Sequence, residues 1–292
     1  MWMLSALAAV AAPAVAASHF VVVGGLGGEP DYEQRFAGYV SDLKQVLVET
    51  AGDESRVYAL SGPAATRKAL EESLEKIART AAPDDSVAVI LIGHGTYDGY
   101  DYKFNLPGPD IDAVRLRQLL DAVPAKNQLV VNTTSASGAM LELFKTETRS
   151  VVAATKNGRE RNATVFARYL IEALRDPAAD TDKNEVITGL EAFQYAEAKV
   201  KNFYDTEKRL ATEHARLEGD SAGRITLARL GTAAEAANDP AKAGLLMKRE
   251  EIERKIDALK LRKASLPEAE YFNELTKLLV SLAEVQNEIE GK

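Results

Sequence analysis

The 292-residue chain contains no cysteine. That excludes disulfides, thiolate metal sites and a cysteine nucleophile, and it says little about compartment. Positive charge is also in short supply. Thirty-six Lys and Arg face 44 Asp and Glu, for a net charge of -8 and a sequence pI near 5.2. Phosphate binding needs a surplus of Lys and Arg, so nucleic acid is excluded as the main partner. Beyond the first residues no apolar run is long enough to be a membrane span.

What is present is an ordinary globular balance, 46% hydrophobic and 27% charged. The length suits one large α/β domain plus an appendage. Residues 1–17 carry no charge and end in the small residues Ala14-Val-Ala-Ala-Ser18. This reads as a signal peptide over 1–18 and an exported protein, periplasmic or extracellular, although no Lys or Arg precedes the apolar run.

Strand and helix signals then alternate. Apolar runs at 19–25, 56–60, 87–92, 129–132 and 150–154 read as strands. Helical spacing joins Phe36, Val40, Leu43 and Leu47, and again Leu70, Leu74 and Ile77. Further helices are expected over 112–122 and 163–175, and a hairpin over 99–106. Strands without hydrophobic–polar alternation mean a mostly parallel sheet covered by helices on both faces. Ligand sites in such sheets lie beyond the carboxyl ends of the strands. The Gly24 to Gly28 turn, Gly93-His94-Gly95 and Thr133 to Gly138 all fall at that edge. Farther on, 188–218 reads as a long polar-faced helix carrying His214, and 231–244 as a linker. Residues 247–261 and 271–289 have three- and four-residue apolar spacing, which predicts an antiparallel helical hairpin or short coiled coil.

The chemistry candidates sit at two strand ends. His94 lies between two glycines, which permit a sharp turn and close approach of a substrate. Ser135 follows the next apolar run and precedes an expected helix near Gly138. Backbone N–H groups there, at Ala136 and Gly138, would form an oxyanion hole; in the plainer reading the hydroxyls only cap the helix.

The order of these two motifs resembles the legumain and caspase fold of cysteine peptidases, and among them bacterial legumain-like proteins. There a strand ends in His-Gly and the next in Cys-x-Ser-Gly or Cys-x-Gly. His94-Gly95 matches the first, and Ser135-Ala136-Ser137-Gly138 matches the second with Ser in place of Cys. The two positions are 41 residues apart, near the roughly 50 of caspases. The resemblance spans 19–204 and implies a caspase-like domain, with 205–245 as helix and linker and 246–292 as the hairpin. It implies a peptide or protein ligand in the cleft. The family's His stands across the scissile bond, leaving Ser135 without a close base. The expectation is a pseudo-peptidase. The alternatives are an active endopeptidase using Ser135 and His94, and an assembly protein working as an oligomer through its C-terminal helices. Glu213-His214 with Gly219-Asp220 also resembles the tail of bacterial legumain-like proteins.

A second constellation is Asp180-Thr-Asp-Lys-Asn-Glu-Val-Ile-Thr-Gly-Leu-Glu191. Asp180, Asp182, Asn184, Thr188 and Glu191 fall at positions one, three, five, nine and twelve of a Ca2+ loop, with the Val186 carbonyl at seven. Glu185 stands at six, where Gly is usual, and Asp176-Pro177 breaks the helix before it, so a complete EF-hand is absent. Thr188-x-x-Glu191 is equally a capping box for the next helix.

Overall fold

A computed structural model describes residues 16–292, so the expected leader falls outside the described residues except at its end. Ser18 already belongs to the sheet, as the first residue of β1 (Ser18–Gly24).

After β1 come α1 (Pro30–Ala51), β2 (Val57–Leu60), α2 (Arg67–Thr80) and β3 (Ser86–Ile92). A side sheet follows, made of β4 (Gly95–Tyr97), β5 (Tyr102–Phe104) and β6 (Ile111–Asp112), and then α3 (Ala113–Asp121). Next are β7 (Asn127–Asn132), α4 (Leu141–Phe144), β8 (Arg149–Ala153) and α5 (Phe166–Ala173). The last elements are β9 (Val186–Thr188), α6 (Gly189–Thr206), β10 (Arg216–Glu218), β11 (Thr226–Arg229), α7 (Gly231–Asn238), α8 (Ala243–Leu261) and α9 (Glu268–Glu290).

The main sheet has the order β10-β8-β7-β3-β1-β2. Five strands are parallel and β10 runs antiparallel to β8. Successive strand residues face opposite sides. Phe20, Val22, Ile90 and Val131 therefore point toward α1, α5 and α6. Val21, Val23, Val89 and Val130 point toward α2 and α3. Unbroken Val and Ile runs are what a sheet buried on both faces requires. The chain leaves β1 toward β2 on one side, then returns to β3 on the other. This switch point opens a crevice beyond the carboxyl ends of β1 and β3, where Gly25 and His94 lie.

Local signals fix the helix ends. Thr66 accepts from the Ala69 amide and Asp112 from the Arg115 amide, so α2 and α3 each begin on a capped N–H. Gly52, at φ 65°, closes α1 with its N–H on the Val48 carbonyl.

The region after 204 departs from expectation. The long helix over 188–218 stops at Thr206, and Arg216–Glu218 joins the main sheet as β10. The 205–245 segment is thus no helix plus linker: it adds β10, β11 and α7 to the fold. Three- and four-residue strands carry too little periodicity to register, and their pairing partners lie far away in sequence. The Ala-rich stretch read as a linker is helical because alanine is the best helix former and Glu185 caps its start. The C-terminal hairpin forms α8 and α9, which with α7 bury Leu246, Ile252, Ile256, Val285 and Ile289.

Candidate functional site

The β3 and β7 ends place His94, Gly95 and Ser135 side by side. The Ser135 hydroxyl donates to the Gly95 carbonyl at 3.0 Å and accepts from the Gly95 amide at 3.3 Å. It is 94% buried, with 6% exposure. A Cβ on Gly95 would lie 2.5 Å from the Ser135 carbonyl oxygen and 2.6 Å from the Tyr102 ring, so only glycine allows this approach.

The His94 imidazole faces elsewhere. Its ring packs edge-on against Tyr32, with centroids 4.8 Å apart, and against Phe36 at 5.3 Å. It makes no hydrogen bond with any described side chain, Ser135 included. A cavity of about 20 Å³ beside it is lined by Tyr32, Arg35, Phe36, Thr133 and Thr164, which is room for about one water. The Asn105 amide donates to the His94 carbonyl at 3.1 Å, and its buried side-chain oxygen has no partner among the described residues.

The expected oxyanion donors are occupied. The Ala136 N–H donates to the Glu160 carbonyl at 2.7 Å. The Gly138 N–H donates to the Thr155 hydroxyl at 2.9 Å. Nor does a full helix begin at Gly138: Ser137–Met140 forms a 3-10 turn leading into the single turn of α4. Ala136 adopts φ 57°, a left-handed conformation held by these bonds. The reading of Ala136 and Gly138 as free donors is corrected by this packing.

Beneath the turn lies a buried polar network absent from the sequence reading. The Asn132 amide donates to the Tyr102 hydroxyl at 2.9 Å, and its oxygen accepts from the Thr134 amide. Tyr102 and Thr134 share a 2.6 Å hydrogen bond. Burial pushes the Tyr102 phenol up to about 12, so it stays neutral and serves as a fixed hydrogen-bonding post. Tyr102 lies in the expected hairpin over 99–106; its partner on the β7 side emerges only on folding.

His214 does not lie on a helix. It stands in the segment before β10, with Nδ1 2.5 Å from a Glu160 carboxylate oxygen. Burial alone would raise the Glu160 carboxyl, but the Lys156 amide and the His214 ring outweigh it and hold the group below its ordinary range. The neighbouring Glu213 accepts from the Val165 and Phe166 amides at the start of α5. Its pKa is pushed up to about 7 by burial.

At the acidic loop, carboxylate oxygens of Asp180, Asp182 and Glu191 lie within 4.8 Å of one another. Asp180 and Glu191 are buried. Burial first, and then the nearby Glu191 charge, raises the Asp182 carboxyl. Lys183 and Glu185 take positive φ, 61° and 62°, curling the loop around this point. The other expected ligands are engaged elsewhere. The Asn184 side-chain oxygen accepts from the Val186 amide at 2.8 Å, and Val186 pairs with Arg229 in the β9–β11 ladder. Thr188 and Glu191 form the reciprocal capping box of α6. Carboxylate oxygens are the donors a hard cation takes; here those of Asp180 also accept from the Asn184 and Glu185 amides and those of Glu191 from the Thr181 and Thr188 amides, so the cap and the acidic cluster coexist in one loop.

No helix among the described residues is long and apolar enough to cross a membrane. No family model matches the sequence, and no curated protein matches it. Solved structures similar to it include a protein from Geobacter sulfurreducens, with TM-score 0.49 and 11% identity over 74% of this chain and 100% of that one. The Drosophila initiator caspase Dronc gives 0.48 and 9% over 72% and 81%. Caspase-1 from Spodoptera frugiperda gives 0.48 and 11% over 70% and 86%.

Proposed function

We propose that the protein is a legumain/caspase-type pseudo-peptidase, which binds a peptide or protein segment at the carboxyl edge of its sheet without cleaving it. The bonding of Ser135 carries this reading. Its hydroxyl is spent on the Gly95 backbone, while His94 sits among Tyr32 and Phe36. A serine without a base in hydrogen-bond contact is a poor nucleophile. An oxyanion without free donors loses about 100- to 1000-fold per donor.

A fluorogenic peptide library tests it: the wild-type chain should show no turnover. Turnover that vanishes in Ser135→Ala would instead establish the alternative, an endopeptidase using Ser135 and His94. Binding is read separately on an immobilised peptide array, where His94→Ala should weaken any signal that wild type gives.

We propose further that the 180–191 loop holds Ca2+ through Asp180, Asp182 and Glu191, on the strength of their convergence. A ligand that binds only the folded state raises the thermal midpoint. Calcium should therefore raise it in wild type and not in Asp180→Asn, and an unmoved midpoint in wild type removes the site. Assembly through the C-terminal hairpin is the second reading. Phe272, Leu279 and Val280 remain exposed on α9 although its other face is already packed. Sedimentation should show a mass above one chain, and a monomer at all concentrations would end that reading. Export is the corresponding proposal for location, checked by N-terminal sequencing of the mature protein.

A further inference from the structure

We infer that residues 155–161 form an autoinhibitory strap over the Ser135 turn, latched by Glu160 and His214. This regulates the site of the proposed function and rests on that site being the ligand cleft.

The strap leaves β8 and runs directly over the turn. A Cβ on Gly138 would lie 2.3 Å from the Asn157 nitrogen and 2.4 Å from the Thr155 carbonyl oxygen. Thr155 receives the Gly138 N–H and bonds the Ser137 hydroxyl. Glu160 receives the Ala136 N–H on its backbone carbonyl. Gly158 is pressed against the Tyr97 ring, and Arg161 donates to the Tyr97 carbonyl at 3.1 Å. One loop with no secondary structure of its own thus holds the Ala136, Ser137 and Gly138 side of the Ser135 turn.

What anchors the loop lies more than fifty residues away. The Glu160 carboxylate accepts from the His214 amide at 3.2 Å and contacts the His214 ring at 2.5 Å. One residue earlier, Glu213 holds the Val165 and Phe166 amides where the loop re-enters α5. Segment 213–214 therefore clamps the strap near its far end. His214 is about half exposed on its side chain, at 48%, and Glu160 is largely covered, at 12%. The latch is reachable from outside, while what it secures is not. Segments with few buried apolar contacts open locally at lower cost than the core, so loss of the latch frees the Ala136 and Gly138 amides before the sheet is disturbed.

The absence of native cysteine makes this directly measurable. In Ser135→Cys the chain carries one thiol, buried next to the Ala136–Gly138 turn that the strap holds, and its alkylation by iodoacetamide reports opening. Alkylation should run about tenfold faster when His214→Ala is added, the expected scale for losing one charge-assisted hydrogen bond. His214→Gln, which can still donate to Glu160, should restore protection. Ser73→Cys, buried on α2 away from the strap, should stay protected with His214→Ala. Equal rates with and without His214, or loss of protection in the Gln variant, overturn the latch. Equal acceleration of the Ser73→Cys thiol also overturns it, since the whole molecule would then have loosened. Because no peptide is involved, a failed peptide-binding test leaves these rates standing, and the two ideas fail separately.

Discussion

A hydroxyl becomes a nucleophile through its partner, and the partner Ser135 finds is the Gly95 backbone. Cysteine at that position would behave otherwise, since a thiol ionises near an ordinary pKa of about 8.5 without a tightly held base. Ser135→Cys therefore separates a lost nucleophile from a lost cleft. Thiol-dependent cleavage in the variant would show the cleft intact, whereas a closed strap predicts none until His214 is also changed. Gly95→Ala tests the close approach itself. With a Cβ about to strike the Ser135 carbonyl and Tyr102, overpacking should cost about 1–3 kcal/mol in urea unfolding. Glu213 gives a pH signature. Its folded pKa of about 7 lies above the ordinary carboxyl value of 4.5, so the folded state binds the proton more tightly. Stability from this group is complete below about 4.5 and is lost as pH rises through about 7. Glu253, also pushed up to about 7 by burial, acts in the same window. Glu213→Gln should flatten the fall in stability between pH 5 and 7 without abolishing it, as followed by urea midpoints across that range; an unchanged slope rejects the assignment. His94, Gly95 and Ser135 were legible because polar residues flanked by small ones follow apolar runs. Tyr102, Glu160 and Glu213 were not, because each acts on a residue at least 24 positions away.

Elements divide along the same line. The seven-residue strands β1 and β3 and the 22-residue α1 announce themselves, because length accumulates pattern. The three residues of β10 and the four of β11 do not. Both owe their existence to pairing, β10 with β8 and β11 with β9, and this tertiary context overrides weak local preference. The acidic loop shows a further ambiguity. A capping box and a calcium loop share Thr188 and Glu191, so the sequence could not choose between them, and the fold contains the cap while also assembling the carboxylates. Central strands should dominate stability. Ile90 is fully buried on β3, so truncating it removes apolar contacts on the sheet's inner face. Ile90→Ala should cost about 2–5 kcal/mol in denaturant unfolding, well above the effect of shortening exposed Leu210 to Ala.

At the scale of the whole molecule the open matter is how the C-terminal helices are joined to the sheet. Their small apolar cluster is separate from the two that sandwich the strands, so apolar packing alone gives little reason for the parts to unfold together. Polar contacts bridge them instead. Arg229, at the end of β11, makes a bidentate pair with Glu250 on α8, at 2.8 and 3.1 Å, and donates to the Thr50 carbonyl at the end of α1. Both side chains are nearly covered, at 11% and 10% exposure. Arg249 beside it donates to the Asn184 carbonyl in the acidic loop. A buried pair need not add much net stability, but removing one partner leaves the other charge uncompensated at about 3–5 kcal/mol. Glu250→Ala should therefore strand the Arg229 guanidinium and loosen the helices from the sheet. Calorimetry should then resolve two transitions where wild type gives one, the earlier belonging to α7, α8 and α9. A single transition in the variant, shifted or not, would mean that the helical cluster and the sheet are coupled through contacts other than this pair.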